Sequence, residues 1–122
     1  MIIEYIVDSD EKFEWGTVIE QRRAAMLTRA AIQEKLHPIF QKYPVDKAYL
    51  FGSYSRGEAT EKSDIDIRVE GNIKNLFILG GLYEDIMESL DKKVDILTKV
   101  PDIEKFRNNL LRDEVLIYER QG

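Results

Sequence analysis

The sequence predicts one α/β (α+β) domain with a small mixed sheet and helices mainly on one face. Stretches with apolar residues at helical spacing alternate along the chain with short apolar runs typical of strands. The order is helix, strand, short helix, strand, helix, strand, helix, strand, which favours a sheet backed by helices. A chain of 122 residues is long enough for one modest core, so we expect residues 1–122 to form a single domain.

The first helix is predicted over residues 17–42 from periodic apolar residues, and Pro38 is expected to end or bend its first segment. His37 directly precedes this proline, and we interpret it as a structural residue near a helix end. Residues 1–25 are treated as an N-terminal extension. The sequence leaves its role open between an added edge strand, a partner contact and a loosely packed segment.

The remaining elements follow from apolar patterns and from the residues that interrupt them. A buried strand is predicted over residues 48–51, a short helix over residues 53–59 and a second strand over residues 63–69. A helix is expected over residues 76–90, with Gly80-Gly81 weakening it or permitting close packing. A third strand lies within residues 92–97, a further helix runs from Pro101 to about residue 112, and a closing strand covers residues 115–118.

Acidic residues in two of these strands predict a metal site. Side chains alternate along a strand, so Asp64 and Asp66 would project to one side while the intervening isoleucine enters the core. Two carboxylates this close repel each other, which favours a bound cation, and Mg²⁺ binds through one or two carboxylates together with substrate phosphates. Asp95 in a neighbouring strand would complete a triad able to hold two metal ions roughly 3.5–4 Å apart. Asp95 is also a candidate for deprotonating an attacking hydroxyl.

The segment before these acids has the composition of a phosphate-binding turn. Gly52 allows close backbone approach to a ligand, and Ser53 begins a short helix whose amino end favours anions, so we expect Ser53 to meet a triphosphate. Arg56 follows one helical turn later and could neutralise phosphates or pair with the acids, and we favour the structural role. Ser63 could start its strand or contact a phosphate.

Together these residues resemble a known family. Gly52-Ser53, ten intervening residues and Asp64-Ile65-Asp66 are similar to the G-S-x10-D-x-D signature of minimal nucleotidyltransferases (MNT) of the DNA polymerase beta-like superfamily. Arg56-Gly57-x-Ala59 also resembles the A-R-G-x-A run of small members, with Ser55 in place of the usual alanine. The resemblance covers about residues 36–118 and implies a polymerase beta-like fold.

Roles for individual residues also follow from the resemblance. It implies that Asp64, Asp66 and Asp95 are the catalytic and metal-binding residues, with Asp95 as the family's third acid. It further implies nucleotide binding at four positions: Gly52, Ser53, Arg56 and Ser63.

The resemblance further implies an activity and a partner. Small members commonly form the MNT half of HEPN/MNT toxin–antitoxin pairs, in which AMP is transferred from ATP to a tyrosine of the HEPN protein and silences its RNase. This chain is therefore expected to be a Mg²⁺-dependent, ATP-using protein adenylyltransferase and antitoxin. Two alternatives stay open: a non-catalytic antitoxin or nucleotide-binding module that masks its partner, and a transferase acting on a small molecule such as an aminoglycoside.

Composition narrows the partners further. The net charge is −5 with basic residues scattered along the chain, so no stable nucleic-acid ligand is expected. The absence of cysteine fits a reducing compartment, and the apolar start lacks a basic leader and is too short for a membrane span, so we expect a cytoplasmic protein without membrane contact. Because the chain is short for an enzyme with a large substrate, a homodimer or hetero-oligomer is expected to complete the site.

Overall fold

The structure is a computed structural model that describes residues 27–121. The predicted extension, residues 1–25, lies outside the described residues, as does the part of the first predicted helix that precedes residue 27. The elements in chain order are α1 (Arg29–Lys42), β1 (Val45–Phe51), α2 (Ser53–Arg56), β2 (Ile65–Gly71), α3 (Leu76–Leu90), β3 (Val94–Leu97), α4 (Glu104–Asp113) and β4 (Val115–Glu119).

The strands form the small mixed sheet that the sequence predicts. Its order is β3–β2–β1–β4, with β1 antiparallel to both β2 and β4. Strands β2 and β3 are parallel, and α3 makes the crossover between them, as parallel neighbours require. The parallel pair brings the starts of β2 and β3 to the same end of the sheet.

The core lies on one face of the sheet, beneath α1 and α3. Strand β2 directs alternate side chains to this face, because successive residues of a strand point to opposite sides. Asp66 and Arg68 consequently lie on the other face, toward α4, where Glu114 pairs with Arg68. The largest fully buried core side chains come from both helices and the two central strands: Ile32, Leu36, Phe40, Val45, Leu50, Ile65, Ile67, Val69, Leu82 and Ile86.

We expected Pro38 either to end or to bend a helical segment. The expectation that it ends the segment is wrong, since Pro38 lies inside α1. Helix α1 continues to Lys42 because Leu36 and Phe40 are buried on either side of the proline, and this packing outweighs the lost backbone hydrogen bond. His37 accordingly lies within the helix. Its ring packs against the Tyr118 ring in an edge-to-face arrangement, with 5.4 Å between the ring centroids. Within the described residues α1 begins at Arg29, because the Thr28 side chain accepts a hydrogen bond from Ala31 N at 3.0 Å and caps it.

Other boundaries also differ from the prediction: β1 begins three residues earlier, at Val45, and β2 and β4 extend to Gly71 and Glu119. Helix α2 ends at Arg56 instead of residue 59, because Gly57 adopts a left-handed conformation with φ of 73°. Strand β2 begins at Ile65 instead of residue 63, because Ser63 closes a turn with Thr60. Helix α4 begins at Glu104, three residues after Pro101. Helix α3 has the predicted limits, and Gly81 permits close packing, since an added Cβ would lie 2.7 Å from the Tyr43 hydroxyl.

In the part of the chain that the structure describes, no helix combines the length and the apolar character needed to cross a membrane.

Candidate active site

The acids predicted for the metal site meet at one end of the sheet. In the parallel pairing of β2 and β3, Asp66 lies opposite Asp95. Asp64 lies just before β2, and its carboxylate is 3.9 Å from Lys93 Nζ. The structure therefore brings Asp66 and Asp95 side by side and places Asp64 at the entrance to the same strand.

The carboxylate of Asp66 carries an electrostatic cost. Burial, followed by repulsion from the carboxylates of Asp95 and Asp64, raises the pKa of Asp66 from 3.8 to about 6, and Arg56 opposes this rise. Ionised Asp66 is thus held among like charges that the protein only partly compensates. A cation between these oxygens would relieve the repulsion.

Gly52 closes the site from the β1 side. It has φ of 74° and ψ of −151°, a backbone conformation that residues with a side chain rarely adopt. A Cβ built on Gly52 would overlap the Asp66 carboxylate. Glycine is therefore needed here both for the turn from β1 into α2 and for the close approach of backbone to carboxylate.

The predicted serines occupy different surroundings. Ser53 is the first residue of α2 and is partly exposed beside Gly52. The hydroxyl of its neighbour Ser55 donates to Gly52 O at 2.8 Å and stabilises the same turn. The Ser63 hydroxyl accepts a hydrogen bond from Thr60 N at 2.8 Å, which shapes the loop that leads into Asp64. Phosphate contacts from Ser53 and Ser63 stay predictions.

Arg56 lies at the rim of the site in an ion-paired network. Its Nε donates to Glu58 Oε1 at 2.9 Å, and its Nη1 is 3.9 Å from Asp113 Oδ2. These pairs favour the structural role expected for Arg56, while its partial exposure leaves the guanidinium open to an anion.

A cleft of about 380 Å³ opens beside these residues, between the sheet and α4. Its size is at the lower end of the usual range for small-molecule sites, which is about 300–1,000 Å³. Sequence reasoning missed the contribution of α4, although the apolar Phe106 in a strongly charged helix was a signal. The lining residues are Phe51, Gly52, Arg56 and Asp66 on one side and Phe106, Asn109, Leu110 and Asp113 on the other.

A second feature that the sequence did not indicate is a buried arginine next to the acid site. The guanidinium of Arg68 donates hydrogen bonds to both carboxylate oxygens of Glu114, at 2.9 and 2.7 Å. It also stacks over the Tyr49 ring, with Arg68 Cζ 4.4 Å from the ring centroid. Hydrogen bonds to Glu114 and Glu70 outweigh burial and raise the pKa of Arg68 above its usual range. Arg68 thereby stays charged and joins β2 to the start of β4.

The donor set fits a hard divalent cation. Asp66 and Asp95 offer oxygen ligands on adjacent strands, and burial together with repulsion from the neighbouring carboxylates raises the pKa of Asp66. Within the described part of the chain, no three acidic or histidine side chains converge closely enough to enclose an ion by themselves. Such an open set suits Mg²⁺, which completes its coordination with water and substrate phosphates.

The fold and the site identify the class of protein. Residues 34–122 match the Polymerase beta nucleotidyltransferase family, so the chain belongs to that family and is a nucleotidyltransferase. Among its relatives is a candidate protein adenylyltransferase of Methanocaldococcus jannaschii, 48% identical over 68 residues, which are 55% of this chain and 73% of the relative. A second from the same organism is 39% identical over 82 residues, 63% of this chain and 95% of the relative.

Solved structures confirm the polymerase beta-like fold. A crystal structure of a toxin–antitoxin with AMP-PNP matches with a TM-score of 0.61 at 23% identity, covering 73% of this chain and 74% of the other. A complex of the tri-AMPylated Shewanella oneidensis HEPN toxin with its MNT antitoxin matches with a TM-score of 0.57 at 20% identity, covering 77% and 75%. The predicted polymerase beta-like fold is thereby confirmed, and the family match confirms the prediction of a nucleotidyltransferase.

Proposed function

We propose that this protein is a Mg²⁺-dependent adenylyltransferase that transfers AMP from ATP to a tyrosine of a HEPN toxin and thereby acts as its antitoxin. The observation that carries this proposal is the pairing of Asp66 with Asp95 against the Gly52 turn. Protein adenylylation as the activity is supported by the names of the Methanocaldococcus jannaschii relatives. The HEPN partner is supported by the neighbouring structure of an AMPylated HEPN toxin with an MNT antitoxin.

The transfer is an in-line displacement at phosphorus. The acceptor oxygen forms a bond to the α-phosphorus of ATP while the bond from that phosphorus to the α,β-bridging oxygen breaks, and pyrophosphate leaves with the bridging oxygen. The proton of the acceptor hydroxyl must depart as the new ester forms. Asp95, which is exposed on β3 beside Asp66, is the residue that we assign to receive it.

The remaining residues bind and orient the nucleotide. Asp64, Asp66 and Asp95 would hold Mg²⁺, for which we expect two ions, and the bound metal would neutralise charge that develops on the phosphate oxygens. Gly52 allows the backbone to approach the phosphates, and the hydroxyl groups of Ser53 and Ser63 would contact them. Arg56 keeps its ion pairs and contributes positive charge at the rim.

The acceptor side needs a further surface. The described residues form one sheet with one cleft beside the acids, and a protein tyrosine must be presented from outside. We therefore expect the working form to be a hetero-oligomer with the toxin, or a homodimer that docks it.

Label transfer tests this proposal. The purified protein is incubated with Mg²⁺ and ATP labelled at the α-phosphate in extract of its source cells, beside the Asp64→Asn/Asp66→Asn variant. We expect label on one discrete protein, mapped by mass spectrometry to tyrosine, and no label with the variant. Label on a small molecule would instead indicate a metabolite or drug as the acceptor.

Toxin neutralisation separates catalysis from masking. A catalytic antitoxin neutralises an excess of its partner when Mg²⁺ and ATP are present, because each molecule turns over. A masking antitoxin neutralises only an equal amount, and the Asp64→Asn/Asp66→Asn variant would then neutralise as well as the unchanged protein. That second result, with a folded protein and a confirmed partner, would overturn the proposed activity.

A further inference from the structure

Strand β3, which carries Asp95, has a neighbouring strand on one side only. It consists of the four residues Val94–Leu97 and lies at an edge of the sheet, where β2 is its single strand partner. The Asp95 side chain is exposed, and among residues 27–121 no lysine or arginine forms an ion pair with it. The position of this carboxylate therefore depends on the backbone of a short edge strand, an element that is prone to local opening.

A tyrosine hydroxyl supplies a partner on the outer side of β3. The Ile96 N–H donates a hydrogen bond to Tyr83 Oη at 2.9 Å, and the same hydroxyl donates a longer one to Ile96 O at 3.4 Å. Tyr83 thus bonds to both backbone groups of one residue, as a residue of an added antiparallel strand would. Ile96 directly follows Asp95, so these bonds hold the backbone one position from the carboxylate.

The helix that carries Tyr83 is anchored in the core. Its neighbours on α3, Leu82 and Ile86, are fully buried. Tyr83 itself is partly buried and packs against the same core cluster. Because the helix is fixed by this packing, the hydroxyl ties the edge strand to a rigid part of the molecule.

The acid pair needs such a support. Asp66 and Asp95 lie opposite each other in the pairing of β2 with β3, and their mutual repulsion acts across that pairing to push the edge strand outward. We propose that Tyr83 is a positioning residue for Asp95: its hydroxyl holds β3 in place so that the Asp95 carboxylate can share a metal ion with Asp66. This inference rests on the proposed function, because it concerns an acid that is assigned there to the metal.

Metal affinity tests the inference without the acceptor, the nucleotide or any turnover. The probe is Mn²⁺ alone, which shares the preference of Mg²⁺ for carboxylate oxygens and is followed by electron paramagnetic resonance on the whole chain. Tyr83→Phe removes the hydroxyl and keeps the ring that packs in the core. It should weaken Mn²⁺ binding by about tenfold, as the loss of groups that orient metal ligands does.

Tyr43→Phe is the matched control. The Tyr43 hydroxyl also bonds to α3, but it donates to the Asp85 side chain of that helix at 2.7 Å instead of reaching β3. Both variants therefore lose one tyrosine hydroxyl that is hydrogen-bonded in the folded protein. Tyr43→Phe should leave Mn²⁺ affinity unchanged, whatever stability it loses in urea unfolding.

A double-mutant cycle separates the positioning of Asp95 from a general loosening of the protein. If the hydroxyl acts through Asp95, Tyr83→Phe should cause no further loss of Mn²⁺ affinity in a protein that already carries Asp95→Asn. Amide hydrogen exchange checks the contact itself. Tyr83→Phe should speed exchange at Ile96 and leave exchange at Leu50, in the central strand β1, unchanged.

Three results would overturn the inference. The first is Mn²⁺ affinity that is unchanged in Tyr83→Phe. The second is an equal loss in Tyr43→Phe, which would assign the effect to α3 as a whole. The third is additive losses for Tyr83→Phe and Asp95→Asn, which would mean that the hydroxyl does not act through Asp95. A failure of label transfer with the coupling between Tyr83 and Asp95 intact would count against the proposed function and leave the role of Tyr83 standing.

Discussion

Gly52 shows how one missing side chain serves both the turn and the acid site. Gly52 and Gly57 both have positive φ, at 74° and 73°, so alanine is strained at either position. Only at Gly52 would the added Cβ meet the Asp66 carboxylate, because nothing lies within 4 Å of a Cβ at Gly57. The two glycines thus separate backbone strain from displacement of a site residue.

We expect Gly52→Ala to lower the rate of AMP transfer by about 100-fold or more, since small displacements of reacting groups have effects of this size. Gly57→Ala should cost about 1–2 kcal/mol of stability through its left-handed conformation and leave the rate nearly unchanged. Transfer rates at saturating ATP, with circular dichroism to confirm folding, provide the measurement. Equal losses of activity in the two variants would contradict the role assigned to Gly52.

Asp66 should destabilise the metal-free protein at neutral pH. Its pKa of about 6 in the folded state lies above its ordinary 3.8, so the folded form binds the proton more tightly and stability falls as pH rises through this window. Asp66→Asn removes the charge, and at pH about 8 in EDTA it should raise the free energy of unfolding by about 1 kcal/mol, after allowance for solvent screening of a partly exposed group. The charged groups around it are Asp64, Asp95, Arg56 and Asp113.

Urea unfolding at two pH values checks this expectation. The gain from Asp66→Asn should shrink at pH about 4, where the native carboxyl is already protonated. Asp102→Asn, an exposed acid in the loop before α4, is the matched control and should change stability little at either pH. A loss of stability at the higher pH would contradict the cost of holding the Asp66 carboxylate ionised, which comes from its burial and from repulsion by Asp95 and Asp64.

At the scale of elements, the ion pair between Arg68 and Glu114 fastens β2 to the start of β4. The Glu114 side chain is only 9% exposed and accepts two hydrogen bonds, whereas Glu70, the other partner of Arg68, is 45% exposed. We expect Glu114→Gln to lower the free energy of unfolding by about 2–3 kcal/mol, because it leaves a buried guanidinium poorly paired. Glu70→Gln should cost less than about 1 kcal/mol.

Urea unfolding of the two variants at pH 7 measures the difference directly. Replacement of both partners, Arg68→Met with Glu114→Leu, should be less destabilising than Arg68→Met alone, because no buried charge is then left unpaired. Similar losses of stability in Glu114→Gln and Glu70→Gln would show that the ion pair between Arg68 and Glu114 is not the one that holds the strands together.

The existence of the described helices and strands followed from local patterns, while their limits did not. Alternation predicted β2 and β3, and the periodic run over Leu76–Leu90 predicted α3. The ends depended on single contacts, such as the Thr60–Ser63 turn before β2 and the left-handed Gly57 after α2. Pro38 was misjudged because the burial of Leu36 and Phe40 outweighs a local preference.

At the scale of the whole molecule, ligand binding should be visible as added stability. A ligand that binds only the folded state stabilises it by about 2.7 kcal/mol at one hundred times its dissociation constant. We expect Mg²⁺ with α,β-methylene ATP, an ATP analogue that lacks the bond that is cleaved, to raise the midpoint of thermal unfolding by an amount that corresponds to this stabilisation. Mg²⁺ alone should raise the midpoint less. Asp64→Asn/Asp66→Asn should abolish the effect of Mg²⁺.

Thermal unfolding across a series of ligand concentrations checks this coupling. Substitution of Lys47 and Glu119, an exposed ion pair at the far end of β1, provides a control that should leave the shift intact. A midpoint that rises equally in the acid variant would mean that the nucleotide binds elsewhere.

The sequence by itself predicted the chemistry of the candidate site and determined the order of its elements. Strand alternation was enough to predict that Asp64 and Asp66 project to one side, and the resemblance to a known family implied their association with Gly52-Ser53. Asp95 was expected beside these acids, but only the tertiary structure decided the register that sets it opposite Asp66. The same holds for α4 as the second wall of the cleft and for the contact of Arg68 with Glu114 across 46 positions of chain. Contacts of this kind are set by the register of the strands and by which faces pack together. These depend on the burial of the whole core and leave no local pattern in the chain.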